Sequence, residues 1–256
     1  MNCEAVIGTA LREDGTTALP TLGSSPPLRL MPTPDGVHIV GAAAAPLNGD
    51  RISLDIYVAP GTELTIRTVA ASIAWPGASP VPSQFTIHAR VGRGARLDWL
   101  PEPLVPVSGS LHRVSARIEL EQDATLVWRE ELVLGRHDEA PGELSSSLHI
   151  DLSGRPVLRQ ELTVGARAHA SPAVLGDHAA TGSLTLVGKT DAMTSQPQAD
   201  DGCESALLEL DGAKQLVATT RSADRLRKRL DAALADFNSQ CQTHTQKAPN
   251  TYAPLP

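Results

Sequence analysis

The sequence predicts a mainly β protein made of stacked strand–turn–strand layers, β-helix-like in arrangement, that ends in one C-terminal α-helix. Three observations predict this fold: a strand–turn–strand unit recurs in the middle of the chain, Gly and Pro mark its turns, and an amphipathic segment follows near the end. Gly and Pro contribute 20 residues each to the 256. A chain of this length buries a sizeable core without staples, and we expect a single domain over residues 1–256.

The recurring unit is clearest in residues 51–58, where apolar side chains occupy every second position, as in a strand with one buried face. A Pro-Gly turn follows, and the alternation resumes at Leu64. The same pattern returns twice, so that the three turns begin after Val58, Val91 and Leu120, 33 and 29 residues apart. An imperfect fourth copy in residues 148–157 turns at Ser153-Gly154-Arg155-Pro156.

A spacing of about 30 residues between β units is typical of stacked layers, in which each layer buries the apolar face of its neighbour. An ordinary antiparallel sandwich or barrel also repeats hairpins with turn signals, and it stays open as the alternative. Both architectures are mostly β.

Outside the repeated block the pattern is less regular. Residues 1–34 are rich in Thr, Pro, Gly and Ser, with a short apolar group at 28–31. Residues 189–202 are polar and predict an exposed loop. Residues 207–217 predict a last short strand pair that turns at Asp211-Gly212.

One helix is predicted over about 222–237. Ser222 provides a capping residue, and Leu226, Leu230, Leu234 and Phe237 recur on one face. Four basic residues are then expected on the solvated side: Arg225, Arg227, Lys228 and Arg229.

Composition excludes several classes of function. The net charge of −7 argues against nucleic acid as the main ligand, and 3% aromatic residues leave few stacking platforms for bases. Three scattered cysteines form neither a disulfide framework nor a CxxC metal knuckle. No secretory signal is evident and no apolar run has the length of a membrane span, so we expect a cytoplasmic protein that does not engage a membrane.

The chemical motifs do not point to an enzyme. The sequence has no GxxxxGK[ST] loop, no HExxH and no GxSxG. Carboxylates are concentrated in or beside the repeated strands, Glu130 and Glu143 among them. An exposed strand face explains most of them, whereas an inward orientation would supply hard oxygen ligands for weak, exchangeable contacts with divalent cations. Arg136 is a candidate to neutralise Glu143 across its loop.

Several short motifs, in order along residues 27–190, resemble the UreD/UreH family of urease accessory proteins. Residues 27–29 are similar to the family's early Pro-Leu element, and residues 48–55 are similar to its Gly-Asp-initiated strand. Residues 97–103 are similar to its Trp-Leu-Pro segment. Residues 130–136 and 142–143 together are similar to its Leu-Gly-Arg…Gly-Glu motif.

The resemblance implies a scaffold without catalytic turnover of its own. Such a protein binds apo-urease and, with urease accessory proteins F and G, supports nickel insertion into the urease active site, while GTP hydrolysis resides in protein G. It implies no tightly bound cofactor, with Ni²⁺ bound transiently at most. Glu130 and Glu143 fall in the matching motif and become candidate carboxylates of a nickel path. The remaining motif positions are expected to be architectural: Asp50, Gly135, Arg136 and Gly142.

Two other functions stay open at this point. The chain is compatible with a β-rich interaction module unrelated to metals. It is also compatible with a β-helical carbohydrate-active hydrolase that uses paired carboxylates such as Glu130 and Glu143, although the low aromatic content provides no sugar-stacking ladder.

Overall fold

The structure, a computed structural model, describes residues 1–165, 175–188, 199–200 and 202–245, which form eighteen strands and one helix. The strands are β1 Asn2–Leu11, β2 Thr17–Ser24, β3 Leu28–Thr33, β4 Gly36–Gly41, β5 Arg51–Val58, β6 Glu63–Thr68, β7 Ser72–Ala74, β8 Ser83–Val91, β9 Arg96–Leu100, β10 Leu104–Pro106, β11 Leu111–Leu120, β12 Thr125–Val133, β13 Glu143–Leu152, β14 Arg155–Val164, β15 Ala180–Val187, β16 Ala199–Asp200, β17 Cys203–Leu210 and β18 Ala213–Thr220. The helix, α1, is Ala223–Thr245. Within these residues, no helix combines the length and apolarity that a membrane crossing requires.

The strands form two sheets, and the chain passes from one to the other within each repeated unit. The seven-stranded sheet has the order β14-β13-β11-β8-β5-β1-β2, and the eleven-stranded sheet runs β16-β17-β18-β15-β12-β9-β6-β4-β3 with β10 and β7 beside β12. β5, β8 and β11 lie in the first sheet, and each is followed by a strand of the second, β6, β9 or β12. Successive units pair in parallel. The stacked, solenoid-like fold predicted from the sequence is therefore confirmed.

The three equal turns stack on one another. The Gly92 N–H donates to the Val58 carbonyl (2.8 Å), and the Glu121 N–H donates to the Val91 carbonyl (2.9 Å). These bonds continue the parallel ladder from the strands into the turns. Equal turn lengths thus keep the apolar residues of each layer in register with those of the next.

The fourth copy of the unit differs from the prediction. β13 and β14 form an antiparallel hairpin inside the seven-stranded sheet, and the chain does not cross to the other sheet there. The loop has two residues, Ser153 and Gly154, with φ of 51° and 76°. Positive φ at both positions is the geometry of a tight hairpin turn, which reverses the chain at once.

The flanking regions contain more strand than their sequence indicates. In residues 1–34 the chain forms β1, which pairs in parallel with β5, and also β2 and β3. The predicted last strand pair is confirmed as β17 and β18, which turn at Asp211-Gly212. Most of the polar segment 189–202 lies outside the described residues, although β16 pairs with β17 there.

Of the three buried apolar clusters in the described residues, two form extended layers. The first lies between the sheets, where Leu54, Ile56 and Ile118 are fully buried. The second lies between the eleven-stranded sheet and α1, which buries Leu226, Leu230 and Phe237 on it. The apolar face predicted for the helix is confirmed, and the helix continues eight residues beyond the predicted end at 237.

A third, short side of the solenoid is formed by β7 and β10. Leu104 of β10 pairs in parallel with Ser72 of β7 and with Leu132 of β12. Because β9 ends at Leu100, β12 has no strand partner on this side between Trp128 and Leu132. The eleven-stranded sheet is therefore open at residues 129–131.

Candidate functional site

A cavity of about 700 Å³ lies between the two sheets, at the ends of the strands opposite the stacked turns. Its walls include inward-facing residues near the starts of β5, β8 and β11 and near the ends of β9 and β12. The indole rings of Trp99 and Trp128 stack with their centroids 5.0 Å apart and form part of the wall. Uncharged residues at 43–46 and 69–73 also line the cavity.

Glu130 is one of four glutamates among the residues that line this cavity, with Glu102, Glu131 and Glu161. Its Oε1 atom lies 3.5 Å from the Ser146 hydroxyl, which donates to it. Burial raises the pKa of Glu130 from 4.5 to about 7, and the hydrogen bond from Ser146 opposes part of this rise. Near neutral pH the group therefore exchanges between a neutral acid and a carboxylate, and a nearby cation favours the carboxylate.

His112 is a second titratable group on the cavity wall. Its Nδ1 atom lies 2.8 Å from the Ser83 hydroxyl, and the imidazole is 3% exposed. Burial lowers the pKa of His112 to about 4, so the ring is neutral at physiological pH.

At the opening in the eleven-stranded sheet, the side chains of Arg129 and Glu131 form ion pairs with side chains of α1. Glu131 lies between two guanidinium groups, with its Oε1 atom 3.1 Å from Arg129 Nε and 2.9 Å from Arg227 Nε. Arg227 also binds Glu102 through two hydrogen bonds of 3.0 and 2.9 Å, and Arg129 binds Asp231 at 2.8 Å. We call these five residues the ion-pair network. It joins β12, the segment after β9 and the helix.

The basic side predicted for the helix is wrong at Arg227. Its side chain is 26% exposed and points back to the sheet, because two carboxylates lie within reach at the opening. Hydrogen bonding from Arg227 in turn lowers the pKa of Glu102. Arg225 and Lys228 are exposed, as predicted.

The architectural motif residues lie in tight local structure. Asp50 is buried, and one of its carboxylate oxygens accepts the Leu47 N–H at 2.8 Å. Gly135 has φ of 75°, and a Cβ atom there would lie 2.7 Å from the Glu139 carbonyl. A Cβ atom on Gly142 would lie 2.1 Å from the Ser110 hydroxyl. Both glycines therefore stand where the backbone passes too close to its neighbours for a side chain.

The predicted pairing of Arg136 with Glu143 is wrong. Arg136 binds Glu139 through two hydrogen bonds of 2.9 Å and lies over the Trp75 ring at 5.5 Å. Glu139 is three residues away in the same turn, so its carboxylate reaches the guanidinium locally. Glu143 is exposed at the start of β13 and is not part of the cavity wall. The structure therefore does not bring Glu130 and Glu143 together in this cavity.

The ion-pair network is not among the features predicted from the sequence. Two sequence patterns point to it. The alternation of β12 places Arg129 and Glu131 on the face opposite Glu130, and Arg227 and Asp231 are four residues apart on the helix. Opposite charges on a strand and on a helix that covers it are complementary. The described residues contain no group of three or more His, Cys, Asp or Glu side chains suited to a metal ion, so the cavity offers single ligands rather than a closed metal site.

Comparison with known proteins assigns the chain to a family. The model of the UreD urease accessory protein family matches residues 4–252. The chain is 40% identical over 236 residues to urease accessory protein UreD 3 of Streptomyces griseus subsp. griseus, which covers 88% of this chain and 91% of the relative. It is 41% identical over 232 residues to urease accessory protein UreD of Streptomyces avermitilis, and this alignment covers 87% of this chain and 92% of the relative. This chain belongs to the UreD family of urease accessory proteins.

Proposed function

We propose that this protein is a scaffold in urease maturation, which binds apo-urease and, with accessory proteins F and G, supports delivery of nickel to the urease active site. Membership of the UreD family supports a maturation role. We place this role in the cytoplasm, as the sequence predicts. In this account the protein carries out no catalytic step, and nickel is its cargo.

The observation that supports nickel passage is the cavity with Glu130 on its wall. A carboxyl group with a pKa of about 7 releases its proton when a divalent cation approaches and takes the proton up again when the cation leaves. Isolated oxygen ligands hold a cation weakly, which suits passage rather than storage. Glu143, being exposed, remains a candidate only for a contact outside the cavity.

The carbohydrate-active alternative loses its main support. A glycoside hydrolase needs two carboxyl groups about 5–10 Å apart across one substrate site. Glu130 is half-buried on the cavity wall, whereas Glu143 lies on the exposed surface outside it.

Co-expression tests the scaffold role. A tagged form of this chain, expressed with accessory protein F and apo-urease from the same source, is expected to yield a complex that holds all three through affinity capture and size-exclusion chromatography. A chain that elutes as a monomer and captures neither partner contradicts the proposal and favours an unrelated interaction module.

A further inference from the structure

The imidazole of His112, on the cavity wall, is held in place by a hydrogen bond to the neighbouring strand. His112 is the second residue of β11, and in the parallel register it lies directly opposite Ser83 of β8. Directly opposite residues of neighbouring strands lie about 4.8 Å apart, so the serine hydroxyl reaches the nearer ring nitrogen, Nδ1, at 2.8 Å. His112 is one of the residues that line the cavity.

The hydrogen bonds of Ser83 determine which ring nitrogen carries the proton. The Ser83 hydroxyl has one proton, and it donates this proton to the Leu111 carbonyl at 3.1 Å. With that proton assigned to the Leu111 carbonyl, the Ser83 oxygen accepts from His112, and the proton of the neutral ring is on Nδ1. The lone pair is therefore on Nε2. Metal-binding histidines have the same arrangement: one ring nitrogen donates a hydrogen bond, and the other ring nitrogen is left free to bind the metal.

Further ligand atoms lie in the same cavity. Val114, two residues after His112, pairs with Ser146, which binds Glu130. Two residues along a strand span about 7 Å, so His112 lies on the same part of the cavity wall as the Ser146–Glu130 pair. The Ser183 hydroxyl also lines the cavity, is buried, and has no hydrogen-bond partner.

We propose that Nε2 of His112 is a binding contact for a late first-row divalent cation such as Ni²⁺ inside the cavity, with Ser83 as the residue that fixes its tautomer. The role of this contact in cargo passage rests on the proposed function. Imidazole nitrogen suits Ni²⁺, whereas Mg²⁺ prefers oxygen ligands. The contact thus adds chemical selectivity that carboxylates alone do not provide.

The tautomer and the contact are measured directly by long-range ¹H–¹⁵N correlation spectra of the full chain labelled at histidine. Wild-type protein is expected to show His112 protonated at Nδ1. Paramagnetic Ni²⁺ is expected to broaden its Nε2-coupled signals, whereas Mg²⁺ leaves them unchanged. A ring protonated at Nε2, or signals indifferent to Ni²⁺, overturns the inference.

Variants test the same contact by equilibrium dialysis with Ni²⁺. His112→Asn is expected to weaken the binding at this site about tenfold, and the exposed control His88→Asn leaves that binding unchanged. Ser83→Ala keeps the imidazole but loses the tautomer lock, so Ni²⁺ binding falls several-fold, and Ser83→Thr restores it. If both Ser83→Ala and His112→Asn fold and bind Ni²⁺ as wild type does, the inference is wrong.

The two proposals fail in different ways. If the wild-type chain supports urease activation while Ni²⁺ leaves the His112 signals unchanged, the His112 contact is refuted and the scaffold role stands. If Ni²⁺ reaches His112 while the chain captures neither accessory protein F nor apo-urease, the contact is supported and the scaffold role is refuted.

Discussion

Replacement of Arg129 with alanine is expected to lower the free energy of unfolding by up to about 3–5 kcal/mol, because the buried Glu131 carboxylate then keeps only Arg227 of its two guanidinium partners. The side chains of Arg129 and Glu131 are 2% and 1% exposed. The variant also loses the ion pair to Asp231 and the hydrogen bond to the Pro101 carbonyl. Urea unfolding monitored by circular dichroism measures the change.

Two further variants isolate the cause of that loss. Arg117→Ala removes a guanidinium from an exposed pair with Glu119, and it is expected to cost at most about 1 kcal/mol. The double variant Arg129→Leu, Glu131→Leu removes both buried charges and is expected to be more stable than Arg129→Ala. An Arg129→Ala protein as stable as Arg117→Ala would contradict the role of the ion-pair network.

Glu130→Gln is expected to give the largest loss of function. Glutamine keeps the shape and the hydrogen bond to Ser146 but removes the negative charge that attracts a cation into the cavity. We expect urease activation in cells to fall about tenfold or more, measured as urease activity per amount of urease protein. Glu119→Gln, on the exposed outer sheet face, is the matched control and is expected to leave activation unchanged. Normal activation by Glu130→Gln would refute the role of this carboxylate.

The stability of Glu130→Gln shows whether such a loss reflects misfolding. The folded-state pKa of Glu130, about 7, lies above its ordinary value of 4.5. Its contribution to stability is therefore complete below about pH 4.5 and is lost as the pH rises through 7. Glutamine does not ionise. At pH 8 the variant is thus expected to resist urea at least as well as the wild-type protein.

The sequence predicts the solenoid because the relevant signals are local. Alternation within residues 51–58 and equal turns after Val58, Val91 and Leu120 specify both the strand faces and the register. The hairpin at Ser153-Gly154 was misjudged because a non-glycine residue with positive φ carries little sequence signal. β2, in the same region as β1 and β3, carries little sequence signal because it is half exposed along its length and lacks a clear alternation.

The site was only partly predictable because its groups meet across long sequence distances. Glu130 was identified from a motif and from its position in a strand. The bond between Arg227 and Glu102 joins residues 125 positions apart, and no local pattern specifies that the helix covers this opening. The same holds for His112, whose partner Ser83 is 29 residues away on the neighbouring strand.

The nickel content of urease tests the central claim most directly. Urease subunits are co-expressed with accessory proteins F and G, with and without this chain, and nickel per purified urease is measured by atomic emission. We expect nickel-loaded urease with the wild-type chain and nearly nickel-free urease without it. Equal nickel content in the presence and absence of this chain, under limiting nickel, would contradict its role in nickel delivery.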